Sequence, residues 1–228
     1  MVRTPSYGYF AGGLFSSKDL CGNALLANQI FKQSKETLIP VLPQNLEQRE
    51  HTGASIRSTD LLALARSDWA IFQFDGTELD SGTVVEHELA KFLDIPYVLL
   101  RTDFRSGGDA RDLPWNLMNR PGPRGEAIVV DAMGEYRRAL CDAQQEFLLE
   151  GDSCAALLRY GEIALERMHA AIAGVVIDTL TQVRSRHPIL SAQELTVALE
   201  ICAKTTGENF EEWLTPQEIS AIVSRRPG

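Results

Sequence analysis

Short apolar runs alternate with helix-period segments along the first 130 residues, and this alternation constrains the fold more than any other feature of the chain. Tyr7 to Ala11, Leu38 to Leu42, Trp69 to Phe74, Pro96 to Leu100 and Ala127 to Val130 each have the length and composition of a buried strand. Between them, Lys18 to Gln33, Ile56 to Arg66 and Thr83 to Leu93 repeat their apolar residues at helical spacing. Strands that alternate with helices form a parallel sheet with helices on both faces. The expected fold is therefore α/β, a doubly wound parallel sheet of about five strands. Glu135 to Glu150, Cys154 to Arg184, Ala192 to Thr205 and Pro216 to Arg225 read as helices, so an all-helical C-terminal extension follows. Ser191 ahead of Glu194 and Thr215 ahead of Glu218 have the pattern of capping boxes. The expected division is an α/β domain over residues 1–134 and a helical region over 135–228.

Composition narrows the function. A formal net charge of -9 over 228 residues argues against gripping a nucleic acid polymer by its phosphates, or docking on an anionic membrane. A neutral small molecule stays open as a ligand. No segment has the apolar length of a membrane span, and Met1 to Phe10 lacks the apolar core of a signal peptide. The four cysteines are scattered and read as reduced thiols, and the four histidines lack metal-ligand spacing. The expectation is a cytoplasmic protein without a metal site.

In a parallel sheet, ligands bind beyond the carboxyl ends of the strands. Gly12-Gly13, Pro43-Gln44, Asp75-Gly76 and Arg101-Thr102-Asp103 fall there. The densest chemistry lies between Asp75 and Glu88, where a glycine-containing loop leads into a helix. Ser81 or Thr83 is the expected cap of that helix. Glu86 then lies in or close to the first turn, where the helix dipole favours an ionised carboxylate, as a nucleophile requires. Glu86 and Glu88 are two positions apart, about 200° around a helix, so at most one faces a pocket. Asp80, on the loop before the helix, reaches the same pocket. Spacing alone reads equally well as a solvated, acid-rich helix start.

Several separated stretches together resemble the nucleoside 2-deoxyribosyltransferase family. Tyr9-Phe10-Ala11-Gly12-Gly13-Leu14-Phe15 is similar to its first strand and turn, with Gly13 where proline is frequent. Ile56-Arg57-Ser58-Thr59-Asp60 resembles a helix carrying a polar substrate contact. Asp75-Gly76 followed by Asp80-Ser81-Gly82-Thr83-Val84-Val85-Glu86 is similar to the central signature. Arg101 to Arg105 and Leu113 to Met118 resemble two later blocks, and the order holds over about residues 7 to 132. His87 and Glu88 depart from the pattern.

The resemblance implies a flavodoxin-like fold and a covalent deoxyribosyl-enzyme ester, with the sugar passed to a second base or to water. Glu86 would attack C1′ and Tyr9 would hold Glu86. Asp80 and Asp60 would contact sugar and base, and Gln44 would help to recognise the base. Gly12, Asp75, Gly82 and Met118 complete the implied substrate contacts. Asn116 would serve a neighbouring subunit's site, which implies a homo-oligomer. No cofactor is needed for this chemistry. Two related alternatives are a nucleoside 5′-monophosphate hydrolase using the same Glu86, with Ser16, Ser17 and Ser81 as possible phosphate contacts, and a phosphoribohydrolase whose motif ends like Gly82 to Glu86. A third is a non-catalytic nucleotide-sensing protein with a partner-binding tail. His51 and His87 are expected to be solvated; Arg101, Arg105, Arg111 and Arg120 read either as a phosphate site or, the preferred reading, as charges that solvate loops.

Overall fold

The computed structural model describes residues 5–46, 52–103, 105, 115–146, 154–207 and 210–226. Five strands form one sheet: β1 (Ser6–Ala11), β2 (Leu38–Val41), β3 (Trp69–Gln73), β4 (Tyr97–Arg101) and β5 (Gly125–Val129). They lie in the order β2-β1-β3-β4-β5 with every pairing parallel. This is the flavodoxin-like order, and its topological switch point lies between β1 and β3. The fifth strand starts two residues before the apolar run that marks it, because Gly125 already pairs with Tyr97. Tyr97 also explains that glycine: a Cβ on Gly125 would stand 2.2 Å from its ring.

The helices are α1 (Ser17–Gln33), α2 (Gly53–Arg66), α3 (Ser81–Phe92), α4 (Ala132–Glu146), α5 (Cys154–Arg184), α6 (Ala192–Thr205), α7 (Phe210–Trp213) and α8 (Pro216–Arg225). The last part of the helix expected over Glu135 to Glu150 lies outside the described residues. Side chains alternate across each strand and feed two cores, one on each face. Tyr9, Ala11, Phe72, Tyr97 and Leu99 face a core shared with α2 and α3. Phe10, Trp69, Ile71, Val98 and Leu100 face the other, shared with α1. Coverage of both faces is why the strands read as continuous apolar runs.

The C-terminal helices complete both cores. Ile172, Ala173, Val176, Leu180 and Val183 of α5 pack on the α1 side. Leu195 and Leu199 of α6, Phe210, Ile219 and Ile222 pack on the α2 and α3 side. Ile172 and Val176 are buried against the α/β part, whereas Leu157 and Leu158 near the start of α5 are exposed. Polar ties reinforce the seating. Arg226 donates to the carbonyls of Ala65, Ser67 and Leu93, which end α2 and α3. Arg186 donates to Gly125 O at 2.8 Å. The Ser191–Glu194 capping box forms as expected. At α8 only half of the second box forms: Thr215 accepts from Glu218 N, but the Glu218 carboxylate is drawn instead to Arg66 at 2.7 Å. Among the described residues no helix is long and apolar enough to cross a membrane.

The close approach of β1 to β3 depends on Gly8. A Cβ there would stand 2.1 Å from the Trp69 indole, which is fully buried. Gly8→Ala is expected to destabilise the fold by about 2–3 kcal/mol through overpacking, read as a lowered urea midpoint with an unchanged slope. An unaltered midpoint contradicts this packing.

Candidate active site

Tyr9 sits on β1, between Val41 of β2 and Ala70 of β3, beside the switch point. Strand alternation turns it towards α3. The start of α3 is set by Asp80, not by Ser81 or Thr83. Asp80 Oδ2 accepts from the backbone N and from Oγ1 of Thr83, both at 2.8 Å. Aspartate is among the strongest caps, and Thr83 supplies two donors to it where it had been expected to cap. This cap fixes the helix phase. Thr83, His87 and Ala90 face the core, and Glu86 is turned towards Tyr9.

Across this gap the Tyr9 hydroxyl donates to Glu86 Oε1 at 2.7 Å. With the cap at Asp80, Glu86 lies in the second turn of α3 rather than the first, beyond the reach of most of the helix-dipole effect. Burial dominates its ionisation and pushes the carboxyl up to about 7. The Tyr9 hydrogen bond pulls in the opposite direction, and the charges of Asp60 and Asp80 raise it further. The expected dipole-stabilised carboxylate is thus replaced by one poised between its two forms. Asp60 is pushed up to about 6 by burial, and its Oδ1 is buried without a hydrogen-bond partner. The Tyr9 phenol is raised far above its ordinary value, first by burial and then by Glu86 and Asp60, so it stays a donor.

The structure therefore brings Tyr9, Asp60, Asp80 and Glu86 into one electrostatic unit. The other sequence candidates fall into different settings. Gly12 is buried where β1 ends, and a Cβ there would lie 3.3 Å from Gln73 Cβ. Asp75 braces two loops: its oxygens accept from Thr102 N and Oγ1 at 2.6 Å and from Asp103 N at 3.0 Å. Gly82 lies in the first turn of α3 beside the Asp80 carboxylate, where a Cβ would approach Oδ2 to 3.2 Å. Gln44 donates to Leu20 O at 3.1 Å and leaves Oε1 buried without a partner.

Two crevices open at this edge, and Glu78 and Leu79 line both. The first, of about 460 Å³, is bordered by Gly13, Asp75 and Asp80. The second, of about 740 Å³, is bordered by Val84, Glu88, Trp115, Asn116 and Met118. Asn116 and Met118 are exposed in the second and are not brought to Glu86; Asn116 Oδ1 accepts from Met118 N at 2.9 Å. Sequence reading missed Met168, His169 and Ile172 of α5, which wall the first crevice. No local pattern marks them, because only the packing of α5 on α1 brings them there.

Two expectations are corrected. His87 is wholly buried, not solvated. Its Nδ1 lies 2.7 Å from Asn119 Oδ1, and its ring packs on Phe72 and Tyr97 with centroids 5.4 and 4.8 Å away. Burial pushes it down to about 4, so it is neutral. Glu88 on the outer face pairs with Lys91 at 2.9 Å. Arg101 is likewise buried and does not solvate a loop: it donates to the carbonyls of Phe74, Gly76, Asp103 and Arg105, tying β3 and its loop to the segment after β4. Arg105 is exposed and paired with Asp103 at 2.5 Å. His51 and Arg111 lie outside the described residues.

Residues 9–118 match the family model described as nucleoside 2-deoxyribosyltransferase. This segment of the chain belongs to that family. Similar solved structures include a conserved protein from Enterococcus faecalis V583, at 22% identity over 78% of this chain and 99% of that one, with a TM-score of 0.45. Another is a 2-desoxiribosyltransferase from Leishmania mexicana, at 23% identity over 56% and 91%, with a TM-score of 0.44. No curated protein matches the chain.

The Glu86 environment has a consequence for stability. A folded-state value of about 7, above the ordinary 4.5, means that the folded protein holds this proton more tightly than the unfolded chain does. The residue therefore opposes folding increasingly as pH rises from about 4.5 through 7. Glu86→Gln is expected to raise the melting temperature at pH 8 by several °C, on the order of 2–4 °C per kcal/mol, and by much less at pH 5. A gain of equal size at both pH values in differential scanning calorimetry contradicts the assignment.

Proposed function

We propose that this chain cleaves the N-glycosidic bond of a 2′-deoxynucleoside by double displacement and passes the sugar to a second nucleobase, or to water. The observation that carries this reading is the Tyr9–Glu86 pair at the switch point of the sheet, inside the segment that belongs to the family. The Glu86 carboxylate attacks C1′ as the C1′–N bond breaks, and forms a glycosyl ester. The bonding electron pair leaves with the base, whose nitrogen takes a proton from Asp60. A value of about 6 keeps part of the Asp60 population protonated near neutral pH, which suits this role. In the second half-reaction an incoming base or water attacks C1′ and gives its proton to Asp60, and Glu86 departs. Two inversions retain the anomeric configuration.

The remaining groups position and tune. Tyr9 holds Glu86 and favours its ionised form. Asp80 spends one oxygen on the helix cap, and its other oxygen serves a sugar hydroxyl. Asn116, exposed outside the Glu86 site, serves the site of a neighbouring protomer in a homo-oligomer. No step requires a cofactor. Such an activity fits nucleotide salvage in the cytoplasm.

The test is incubation with 2′-deoxyinosine and adenine, with separation of the products. Deoxyadenosine and hypoxanthine are expected. Glu86→Ala is expected to abolish turnover, whereas Glu88→Ala changes it by less than about 3-fold, as for a surface residue. Tyr9→Phe is expected to slow turnover roughly 10-fold or more and to move the acid limb of the pH–rate profile upwards, because the hydrogen bond that lowers the Glu86 value is gone. Absence of turnover with any deoxynucleoside, or a dead Glu88→Ala beside an active Glu86→Ala, overturns the reading.

A further inference from the structure

We propose that a cavity walled by Arg124, Arg184, Arg186, Arg225 and Arg226 binds the phosphate monoester of a small hydroxylated molecule. The cavity measures about 540 Å³. Ser6 opens β1, Asp68 and Pro96 precede β3 and β4, and Arg124 precedes β5, so the floor is the edge of the sheet opposite the loops that carry Asp75 and Asp80. Two helix ends close it: Arg184 is the last residue of α5 and Arg225 the last of α8. Among the described residues, none that lines it borders either crevice beside Asp80. The site is therefore separate from the one built around Glu86 and does not depend on the glycosidic reading.

Charge singles the cavity out. The chain has a formal net charge of -9, yet five arginines converge here against two aspartates, Asp68 and Asp94. Both aspartates are engaged by backbone amides. Asp68 Oδ2 accepts from Tyr7 N at 3.0 Å, and Asp94 Oδ2 accepts from Ile189 N at 2.7 Å and Leu190 N at 3.1 Å. The arginine nitrogens that face them stand farther off, Arg225 Nε at 3.8 Å and Arg124 at 3.7 Å, beyond hydrogen-bond reach. Arg186 is matched by Glu126 at 2.5 Å, and Arg184 donates to Ser6 Oγ at 3.1 Å. Arg226 spends its terminal nitrogens on the carbonyls of Ala65, Ser67 and Leu93, which carry no counter-charge. Positive charge is thus left in excess on Arg124, Arg225 and Arg226.

Two donors of these lining residues are also unused. The Nε atoms of Arg124 and Arg226 are buried without a hydrogen-bond partner. A buried donor left unpaired costs free energy, and more so on a charged group. Burial holds both guanidinium groups below the ordinary arginine value, Arg226 at about 10, and both stay charged at neutral pH. An oxyanion in the cavity supplies the missing counter-charge and, with a small turn of either side chain, the missing acceptor; the planar arginine fork matches phosphate oxygens. Asp94 Oδ1 is buried without a partner as well. It selects against a bare anion and for a ligand that also carries a hydroxyl donor. The volume, larger than inorganic phosphate fills, fits a phosphate joined to a body such as a sugar.

The test is titration calorimetry of the full chain with ribose 5-phosphate, inorganic phosphate and ribose. The wild type is expected to bind ribose 5-phosphate about 10-fold or more tighter than inorganic phosphate, and to leave ribose unbound. Arg124→Gln is expected to weaken the binding of ribose 5-phosphate roughly 10-fold or more, because a charged donor is lost. Arg225→Gln, at the exposed rim, is expected to weaken it about 2- to 5-fold. Arg159→Gln, which alters an exposed arginine paired with Glu162 near the other end of α5, leaves the affinity unchanged. Melting curves without ligand report whether each variant is folded, and Arg225→Gln carries the comparison if Arg124→Gln is not. Equal affinity for ribose 5-phosphate and inorganic phosphate, binding of neither, or an affinity that the folded arginine variants leave intact overturns the proposal.

Discussion

The hydrogen bond from Tyr9 to Glu86 joins the centre of the sheet to the helix that follows β3, and the ionisation of Glu86 depends on it. Burial raises the Glu86 carboxyl, and the neighbouring acids push in the same direction. The phenol is the opposing influence. It is itself so buried that it stays a donor, and so it works for the carboxylate form throughout the useful pH range. Two sequence-local devices make the contact possible. The parity of β1 sends Tyr9 to the α3 face while Phe10 goes to the other. The Asp80 cap sets the rotation of α3, so that His87 enters the core and its neighbour Glu86 is carried round to Tyr9.

The same packing couples the site to the C-terminal helices. Helix α5 seats on α1 and on the sheet, and it also presents Met168, His169 and Ile172 to the crevice beside Asp80. On the opposite face α6 and α8 close the core that contains Tyr9. Core and site are therefore built from the same elements. The acid-rich crevice and the self-capped start of α1 give this edge of the sheet its negative electrostatic character.

Much of this was legible in the sequence. Continuous apolar runs placed all five strands, because a parallel sheet covered on both faces needs no polar side. The Ser191–Glu194 cap was readable from spacing, and the string from Asp80 to Glu86 pointed to the acids that the fold brings together. Other features depend on partners remote in sequence. His87 stands between two glutamates and reads as surface, yet Phe72, Tyr97 and Asn119 enclose it. Arg101 ends a strand and reads as a loop charge, yet backbone carbonyls of two loops converge on it. The ionisation of Glu86 was misjudged for a similar reason: the dipole is visible in local order, whereas the burial that raises the carboxyl comes from tertiary packing.

The central claim is that the Glu86 carboxylate forms a bond to the sugar. Rapid acid quench of the protein during turnover of 2′-deoxyinosine, followed by peptide mass spectrometry, tests it directly. The account predicts a deoxyribosyl ester on the peptide containing Glu86, absent when that residue is glutamine. Turnover with no sugar on any peptide, or with the ester on Asp60 or Asp80 instead, would contradict it.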